Sequence, residues 1–466
     1  MEIEKVFTIK WSGKTLELKT SKQTITELKQ DIQNLTNVLA SRQKLVVKGK
    51  ILNDKDSMDV LPERSVITLI GSAEKDLITA SNTTNVVFME DLTKEDKLRI
   101  MKEKGEEIVY GLKNLGNTCY FNSLIQILGG VEPLRQALYK SKIQGGRLDS
   151  VFCQEAGKVY NELANATDTV VPHMLVQVLR KLNPAFDKNE KGYYQQQDAD
   201  ECLFLILNTY KQFLKNDSTG EKYSENLIDE LFNIELNIEM TNVEDNTEIK
   251  KQKDNSFKLV CYIENNTNEL VGGLKNSLVE DIDLFSEKLS RNTVFVKRQF
   301  ITRLPPYLNV QFMRFFWKKA NEDIHGSKDE KVKKLKSVMF SKIIDIYDLC
   351  TPEVQEVLKL GRNIETKMLK EDPSYRADLS CMKQGENMVP TGRYQLIGVV
   401  THQGRSSESG HYIGWVYKKD DKWIKYDDDV ISYVKIEDIL ELKGGGDWHM
   451  AYICLYKSLE VPFQEI

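Results

Sequence analysis

The pattern of apolar residues breaks down between residues 73 and 109, and this break limits the fold more than any other feature. On either side apolar residues recur with regular periods, whereas here Lys, Glu, Asp, Asn and Thr dominate. The stretch reads as a linker, with one short possible helix near Leu92–Lys102. A chain of 466 residues is too long for one ordinary core. It divides into a small segment, 1–72, and a large one, 110–458, with a short C-terminal tail, 459–466.

In the small segment Phe7, Ile9 and Trp11 alternate, Ser12-Gly13-Lys14 turns, and Leu16 and Leu18 alternate again, which predicts a β-hairpin. From Thr24 to about Leu35 the apolar residues Ile25, Leu28, Ile32 and Leu35 fall at helical spacing. Thr24 followed by Glu27 fits a capping box at the start of that helix. Lys44–Gly49 and Ser65–Ile70 are two further strand candidates. The order ββαββ predicts a compact α+β roll.

The large segment changes character halfway. Tyr120–Leu128, Val151–Ala164, Pro172–Lys181 and Gln197–Leu214 carry helical periodicity. Tyr307–Phe315, Tyr394–His402, His411–Tyr417, Trp423–Tyr426 and Met450–Tyr456 are short aromatic and β-branched runs that read as strands. Two charged stretches, Lys318–Lys334 and Gly361–Asn387, read as solvated loops or surface helices. No internal repeat is visible.

Composition removes several function classes. The formal net charge is -5, so no global basic field points to nucleic acid. Met1-Glu2-Ile3-Glu4-Lys5 lacks the apolar core of a signal peptide, and no apolar run approaches the roughly 20 residues that span a bilayer. Neither secretion nor membrane insertion is expected. The 7 cysteines (Cys119, Cys153, Cys202, Cys261, Cys350, Cys381 and Cys454) are scattered and odd in number, which argues for a reducing compartment. None forms a CxxC pair, and His173, His325, His402, His411 and His449 show no HExxH spacing, so no metal site and no cofactor is expected.

Two constellations could carry chemistry. In Gly111–Leu124 a Gly- and Asn-bearing loop runs into a helical pattern, placing Cys119 at a helix N-terminus. There the helix dipole and free N–H groups favour the thiolate, the form that attacks a carbonyl. Asn114 could offer an amide to the oxyanion so formed. The competing reading makes Cys119 a small buried hydrophobe, as most free cysteines are. In the second, Ser409-Gly410-His411-Tyr412 heads one strand and Trp423–Asp429 closes another, with a short polar turn, Lys418–Lys422, between them. A hairpin of that length can set the Asp427 carboxylate beside the His411 imidazole, leaving the other ring nitrogen to take a thiol proton. The competing reading is a surface histidine above an acidic turn. His402 is a local rival, but no aspartate is similarly placed for it.

These two segments resemble the Cys box and His box of the ubiquitin-specific proteases. Two more elements support the resemblance: Tyr194–Glu201, similar to the family's Q-Q-D-A-x-E element, and Leu304–Phe315, similar to its L-P-x-x-L…R-F strand. Arg42–Lys50 is similar to the third strand and turn of ubiquitin itself. A ubiquitin-like domain, a linker and this catalytic domain is the order found in the proteasome-associated members of that family. The small segment is no modifier, since it runs on past Gly71-Ser72-Ala73 without a Gly-Gly end.

The resemblance implies an α+β fold: an N-terminal ubiquitin-like β-grasp domain (1–72) and a papain-like cysteine protease domain (110–458) with a helical thumb and β-rich palm and fingers. It implies Cys119 as nucleophile, His411 as general base, Asp427 as orienting acid and Asn114 as oxyanion donor, with Asp428 a second polar partner. Gln197 and Asp198 match positions lining the channel for ubiquitin's tail. Ser406 and Ser407 fall in Gly404–Gly410, matching a loop that lies over the cleft until ubiquitin or the proteasome displaces it. Lys318–Asp329 corresponds to a second such loop. Trp11, Val46 and Ile70, ringed by Lys44, Lys48 and Lys50, align with ubiquitin's own recognition face and are expected to dock on the proteasome regulatory particle. The expected partners are thus ubiquitin, ubiquitinated proteins and the proteasome; the enzyme is expected to be a monomer when free, in cytoplasm and nucleus. Departures are few: Ser341 stands where many members have Pro after Phe340, Cys202 replaces an apolar residue, and the CxxC pairs of zinc-bearing fingers are missing. Two other readings stand beside the isopeptidase: a weakly active or non-catalytic ubiquitin receptor docked on the proteasome, and a protease for another ubiquitin-like modifier.

Overall fold

The computed structural model describes residues 5–71, 108–216, 223–318, 330–375, 388–406 and 409–463, apart from 12, 22, 37, 55, 59, 60, 63, 64, 143–145, 191, 374 and 420. The expected linker, with its possible helix, lies outside these residues but for Ile108 and Val109. So do Ser407, Cys381 and nearly all of Lys318–Asp329. The chain separates into two compact units, divided at Ile100 and Met101.

In the first unit β1 (Lys5–Trp11), β2 (Lys14–Thr20), β3 (Lys44–Val47), β4 (Lys50–Ile51) and β5 (Val66–Ile70) form one sheet in the order β2-β1-β5-β3-β4, with α1 (Ile25–Thr36) between β2 and β3. β1 and β5 are parallel, and the other pairs antiparallel. Ile25, Leu28 and Ile32 of the helix and Phe7, Ile9, Leu45, Ile67 and Leu69 of the strands make the core. The cap forms as the spacing suggested: Glu27 N–H donates to Thr24 Oγ1 at 3.3 Å, and the Glu27 carboxylate accepts from the Thr24 hydroxyl at 3.0 Å.

The second unit is built on an eight-stranded sheet. Its order is β10 (Leu259–Tyr262), β13 (Tyr307–Met313), β21 (Met450–Pro462), β17 (Met388–Ser406), β18 (Ser409–Tyr417), β19 (Lys422–Asp427) and β20 (Val430–Lys435), with β16 (Ile343–Asp345) also on β17. Alternate residues feed different cores. Tyr412, Val416, Ile424 and Ile453 join one cluster, and Ile413, Trp415, Trp423 and Cys454 the other. A sheet covered on both faces needs apolar residues at every position, which is why these runs lack polar alternation. The first cluster is shared with α2 (Cys119–Leu128), α3 (Glu132–Tyr139), α4 (Leu148–Ala164), α5 (His173–Leu182) and α6 (Ala199–Phe213). Helix α2 is buried along its whole length, consistent with its being apolar nearly all round. Short pairs β6 (Asn189–Glu190) with β7 (Tyr193–Tyr194), and β14 (Phe315–Lys318) with β15 (Glu330–Lys333), complete the loops around it.

Three features depart from the sequence reading. A four-stranded sheet of β11 (Val279–Ser286), β12 (Arg291–Arg303), β8 (Ile234–Asn242) and β9 (Ile249–Ser256) was not among the strands read from the residue pattern. Strand β9 (Ile-Lys-Lys-Gln-Lys-Asp-Asn-Ser) has no apolar alternation, and its backbone pairing to β8 carries it. The charged stretch after Gly361 takes one of the two forms expected of it, a helix as far as Glu371 within Pro352–Glu371. Helix and β17 touch at Gly361, where a Cβ would fall 2.3 Å from the Pro390 carbonyl oxygen. The start of the expected tail is strand: β21 continues to Pro462, pairing Val461 with Val389, and Val461 is fully buried. Finally, Gly404–Gly410 is not an open loop among its described residues but the end of the β17–β18 hairpin. Gln403 faces His411 and Ser406 faces Ser409, so Gly404 and Arg405 oppose the single Gly410, a bulge.

Candidate active site

The loop before α2 is shaped by its own side chains. Gly116 and Asn117 adopt left-handed backbone, with φ 90° and 53°, and Asn114 Oδ1 accepts from the N–H groups of Gly116 (3.0 Å) and Thr118 (3.2 Å). Thr118 Oγ1 takes the N–H of Leu115 at 2.9 Å. These bonds turn the chain sharply into the helix, so Cys119 is its first residue. The N–H groups of a helix's first turn have no carbonyl partner within it and point at whatever sits on Cys119. Cys119 is only 2 % exposed; its burial fits the bland reading as well, so its partner decides.

That partner is His411. The imidazole Nε2 lies 2.6 Å from Asp427 Oδ1, and Cys119 is near enough to perturb the ring. Asp427 above all, then Cys119, raises the imidazolium pKa from 6.5 to about 10. Burial alone would raise the Asp427 carboxyl, but the bond and charge of His411, with Lys425 Nζ at 3.3 Å, outweigh it and leave the group below its usual value. The carboxylate is thus hydrogen-bonded to the imidazole, with the thiol beside it.

His402 does not compete. It is fully buried, and burial together with the adjacent Lys333 holds it down at about 3. Lys333 Nζ lies 2.9 Å from His402 Nδ1 and donates to its carbonyl at 2.7 Å. His449 packs edge-on against His411 with centroids 5.9 Å apart, and is kept neutral by burial and by the charge of His411, its pKa lowered to about 4.

Asp428 has a different task from Asp427. It sits in left-handed backbone (φ 53°), and its carboxylate accepts from Asn114 Nδ2 and Asn122 Nδ2, each at 2.8 Å. Its carbonyl takes the N–H of Leu112 at 3.0 Å, and Lys113 reaches Asp429 at 3.3 Å. Gly111 permits this docking, since a Cβ there would lie 2.1 Å from the Asp428 oxygen. Burial raises the Asp428 carboxyl, partly offset by the two asparagines. Asn114 therefore has one amide hydrogen on Asp428 and one left for an incoming oxygen. Asn122 was missed by the sequence reading. Its place three residues after Cys119, on the same helix face, was the available signal.

The ligand atoms of His411, Asp427 and Asp428 lie within 4.8 Å of one another, close enough to hold a cation. Each already has a protein partner, however, and the thiol beside His411 accounts for the cluster without an ion. Asp198 caps α6, accepting from the Asp200 N–H at 2.9 Å and the Tyr452 hydroxyl at 2.7 Å, and is buried. Gln197, beside it, is half-buried and donates to the Gln195 carbonyl at 3.3 Å. Ser406 is half-buried at the end of β17.

In the first unit the proposed docking triplet does not share one surface. Trp11 has the strand parity of Phe7 and Ile9, packs against the core, and donates its indole N–H to the Gly71 carbonyl at 2.7 Å. Val46 and Ile70 lie on the opposite face. With them is Ile51, directly across from Val46 and 59 % exposed; Ile70 is 56 % exposed. Alternation along β1 explains the correction: side chains two apart share a face.

Comparison with known proteins agrees with this geometry. Residues 110–456 match the model of the family described as ubiquitin carboxyl-terminal hydrolase, and residues 7–73 match that of the ubiquitin family. The chain is 33 % identical to ubiquitin carboxyl-terminal hydrolase 6 of Arabidopsis thaliana over 92 % of its own length and 93 % of the relative's. It is 30 % identical to ubiquitin carboxyl-terminal hydrolase 6 of Schizosaccharomyces pombe (97 % and 98 % covered) and to ubiquitin carboxyl-terminal hydrolase 14 of Caenorhabditis elegans (91 % and 87 %). With a ubiquitin-like domain ahead of a cysteine peptidase domain, this chain belongs to the ubiquitin carboxyl-terminal hydrolase family and is a deubiquitinating cysteine peptidase.

Proposed function

We propose that this peptidase hydrolyses the isopeptide bond after the last glycine of ubiquitin, acting on conjugates held at the proteasome. The observation that carries the chemistry is the His411–Asp427 hydrogen bond beside Cys119, the first residue of its helix. Asp427 above all makes His411 a strong base, so the imidazole takes the Cys119 thiol proton and frees the sulfur to attack. Cys119 Sγ bonds to the glycine carbonyl carbon, and the carbonyl oxygen becomes an oxyanion facing the free hydrogen of Asn114 and the first N–H groups of α2. His411 gives its proton to the departing lysine amine, the C–N bond breaks, and a thioester remains. Water then loses a proton to His411, attacks the thioester and releases the ubiquitin carboxylate.

Gln197 and Asp198 at the start of α6, and Ser406 on the opposing hairpin, are the proposed walls of the tail channel. The hairpin is the proposed gate that a partner moves aside. Docking on the proteasome is assigned to the exposed face of the ubiquitin-like sheet carrying Val46, Ile51 and Ile70. The test is reaction of the intact protein with ubiquitin bearing a C-terminal electrophile, read by intact mass. Wild type gains one ubiquitin and Cys119→Ala gains none while still binding ubiquitin. Adduct formation in the variant would transfer the role to another cysteine.

A further inference from the structure

Behind the triad lies a cleft that the chemistry above does not use. Its volume is about 480 Å³, and its lining includes Gln403, Trp415, Lys425, Gly444, Trp448 and His449. Two of its lining residues touch the base and its acid. His411, Ile413 and Trp415 alternate onto one face of β18, and Asp427 and Lys425 onto the same face of β19, with Trp415 paired to Lys425. Lys425 Nζ is 3.3 Å from Asp427, and the His449 ring rests against His411. Gln403 pairs with His411 in register and donates to the Asp447 carbonyl at 3.2 Å, fastening the far wall to the catalytic hairpin.

That far wall is an exposed indole. Trp448 is 53 % exposed, yet its ring is folded on Gly446, where a Cβ would fall 1.9 Å away. The turn is anchored at its start by the buried Arg314, which donates to the carbonyls of Lys443, Ala451 and Lys336. An exposed aromatic face lying over its own turn is the kind of group that recognition surfaces use.

The direction of proton transfer decides what the cleft receives. Ubiquitin's carbonyl is carried on Cys119, so the departing amine must come within reach of His411, the group that protonates it. The polypeptide joined to that amine then lies on the histidine's side of the bond, next to His449, which packs on the His411 ring and lines this cleft. We propose that the cleft is a leaving-group subsite: it holds the stretch of substrate chain around the modified lysine, laid across Trp448. This rests on the isopeptidase reading above. Apolar lining with a polar rim, in which Lys443 is already paired with Glu441 at 3.1 Å, suits an uncharged run of peptide better than a strongly acidic or basic one.

The experiment compares two substrates on the full chain: ubiquitin joined by an isopeptide bond to free lysine, and to the lysine of a ten-residue peptide of Ala, Leu and Ser. Trp448→Ala is expected to lower the ratio of kcat/KM for the peptide conjugate over that for the lysine conjugate by about tenfold, the scale of losing a central aromatic contact, chiefly through KM. Trp448→Phe, which keeps a ring, is expected to restore most of that ratio. A ratio unchanged in Trp448→Ala, whether both rates hold or both fall together, overturns the subsite. Wild type inactive on both conjugates would instead overturn the isopeptidase reading.

Discussion

Replacing Asp427 by Asn keeps the size of the side chain and removes the charge that holds His411. The bond lost is a charge-assisted one of 2.6 Å, a kind that contributes ~1.5–3 kcal/mol. His411 and Asp427 are 37 % and 30 % exposed, so solvent screening places the value in the lower half of that range, ~1.5–2 kcal/mol. At 1.36 kcal/mol per factor of ten this is about a 10- to 30-fold loss in kcat. Affinity for ubiquitin, measured in a Cys119→Ala background, should change little. The pH profile carries a second signature. The imidazolium persists up to about pH 10 because Asp427, then Cys119, raise it from 6.5; the alkaline limb of kcat/KM on a ubiquitin C-terminal amide therefore lies near 10 in wild type and moves down toward 6.5 in the variant. The stability sign is the same: a group raised in the folded state stabilises fully below 6.5 and loses that contribution as pH climbs through about 10. The melting-temperature gap between wild type and variant should accordingly shrink at the alkaline end. Asp428→Asn is the control, since Asp428 meets Asn114 and Asn122 and is not bonded to His411. If Asp428→Asn moves the alkaline limb and Asp427→Asn does not, the assignment of the orienting acid is refuted.

Two other perturbations test separate parts of the structure. Gly111→Ala puts a Cβ 2.1 Å from the Asp428 carbonyl oxygen; forcing backbone apart costs about 1–3 kcal/mol, so melting should fall by several degrees and kcat with it, and a variant with wild-type melting and turnover would refute the docking of the Cys loop on the 427–429 turn. In the ubiquitin-like unit, Ile51→Asp with Ile70→Asp should abolish co-purification with proteasomes while sparing hydrolysis of a ubiquitin C-terminal amide by the isolated enzyme; Trp11→Phe should cost stability and leave co-purification in place, and the reverse pattern would return Trp11 to the docking surface.

Much of the site was legible because its parts are local. Cys119 stands where a Gly- and Asn-bearing loop enters a helix, and the bonds that make the turn span only a few residues. His411 and Asp427 are joined by one hairpin, so the distance between them follows from strand geometry. Trp11 was equally legible and misread: the alternation that identifies β1 already sets it on the side of Phe7 and Ile9. The strand character of Gly404–Ser406 and Ser409–Gly410 was hidden because glycines at a bulge look like glycines at a loop. The four-stranded sheet was hidden because β9 contributes backbone and almost no apolar side chain.

The sequence by itself determined the two units, a cysteine at a helix start and a histidine and an aspartate on one hairpin, since each is a short-range pattern with its own chemical signature. Tertiary structure alone decided that Asp428 should hold Asn122 across 306 residues of chain, that the backbone of Gly111 should press against it, and that Trp448 should line a cleft with His449, the neighbour of His411. These are contacts between surfaces that meet only after the helices and the sheet have packed, and no local period encodes which partner a buried polar group will find.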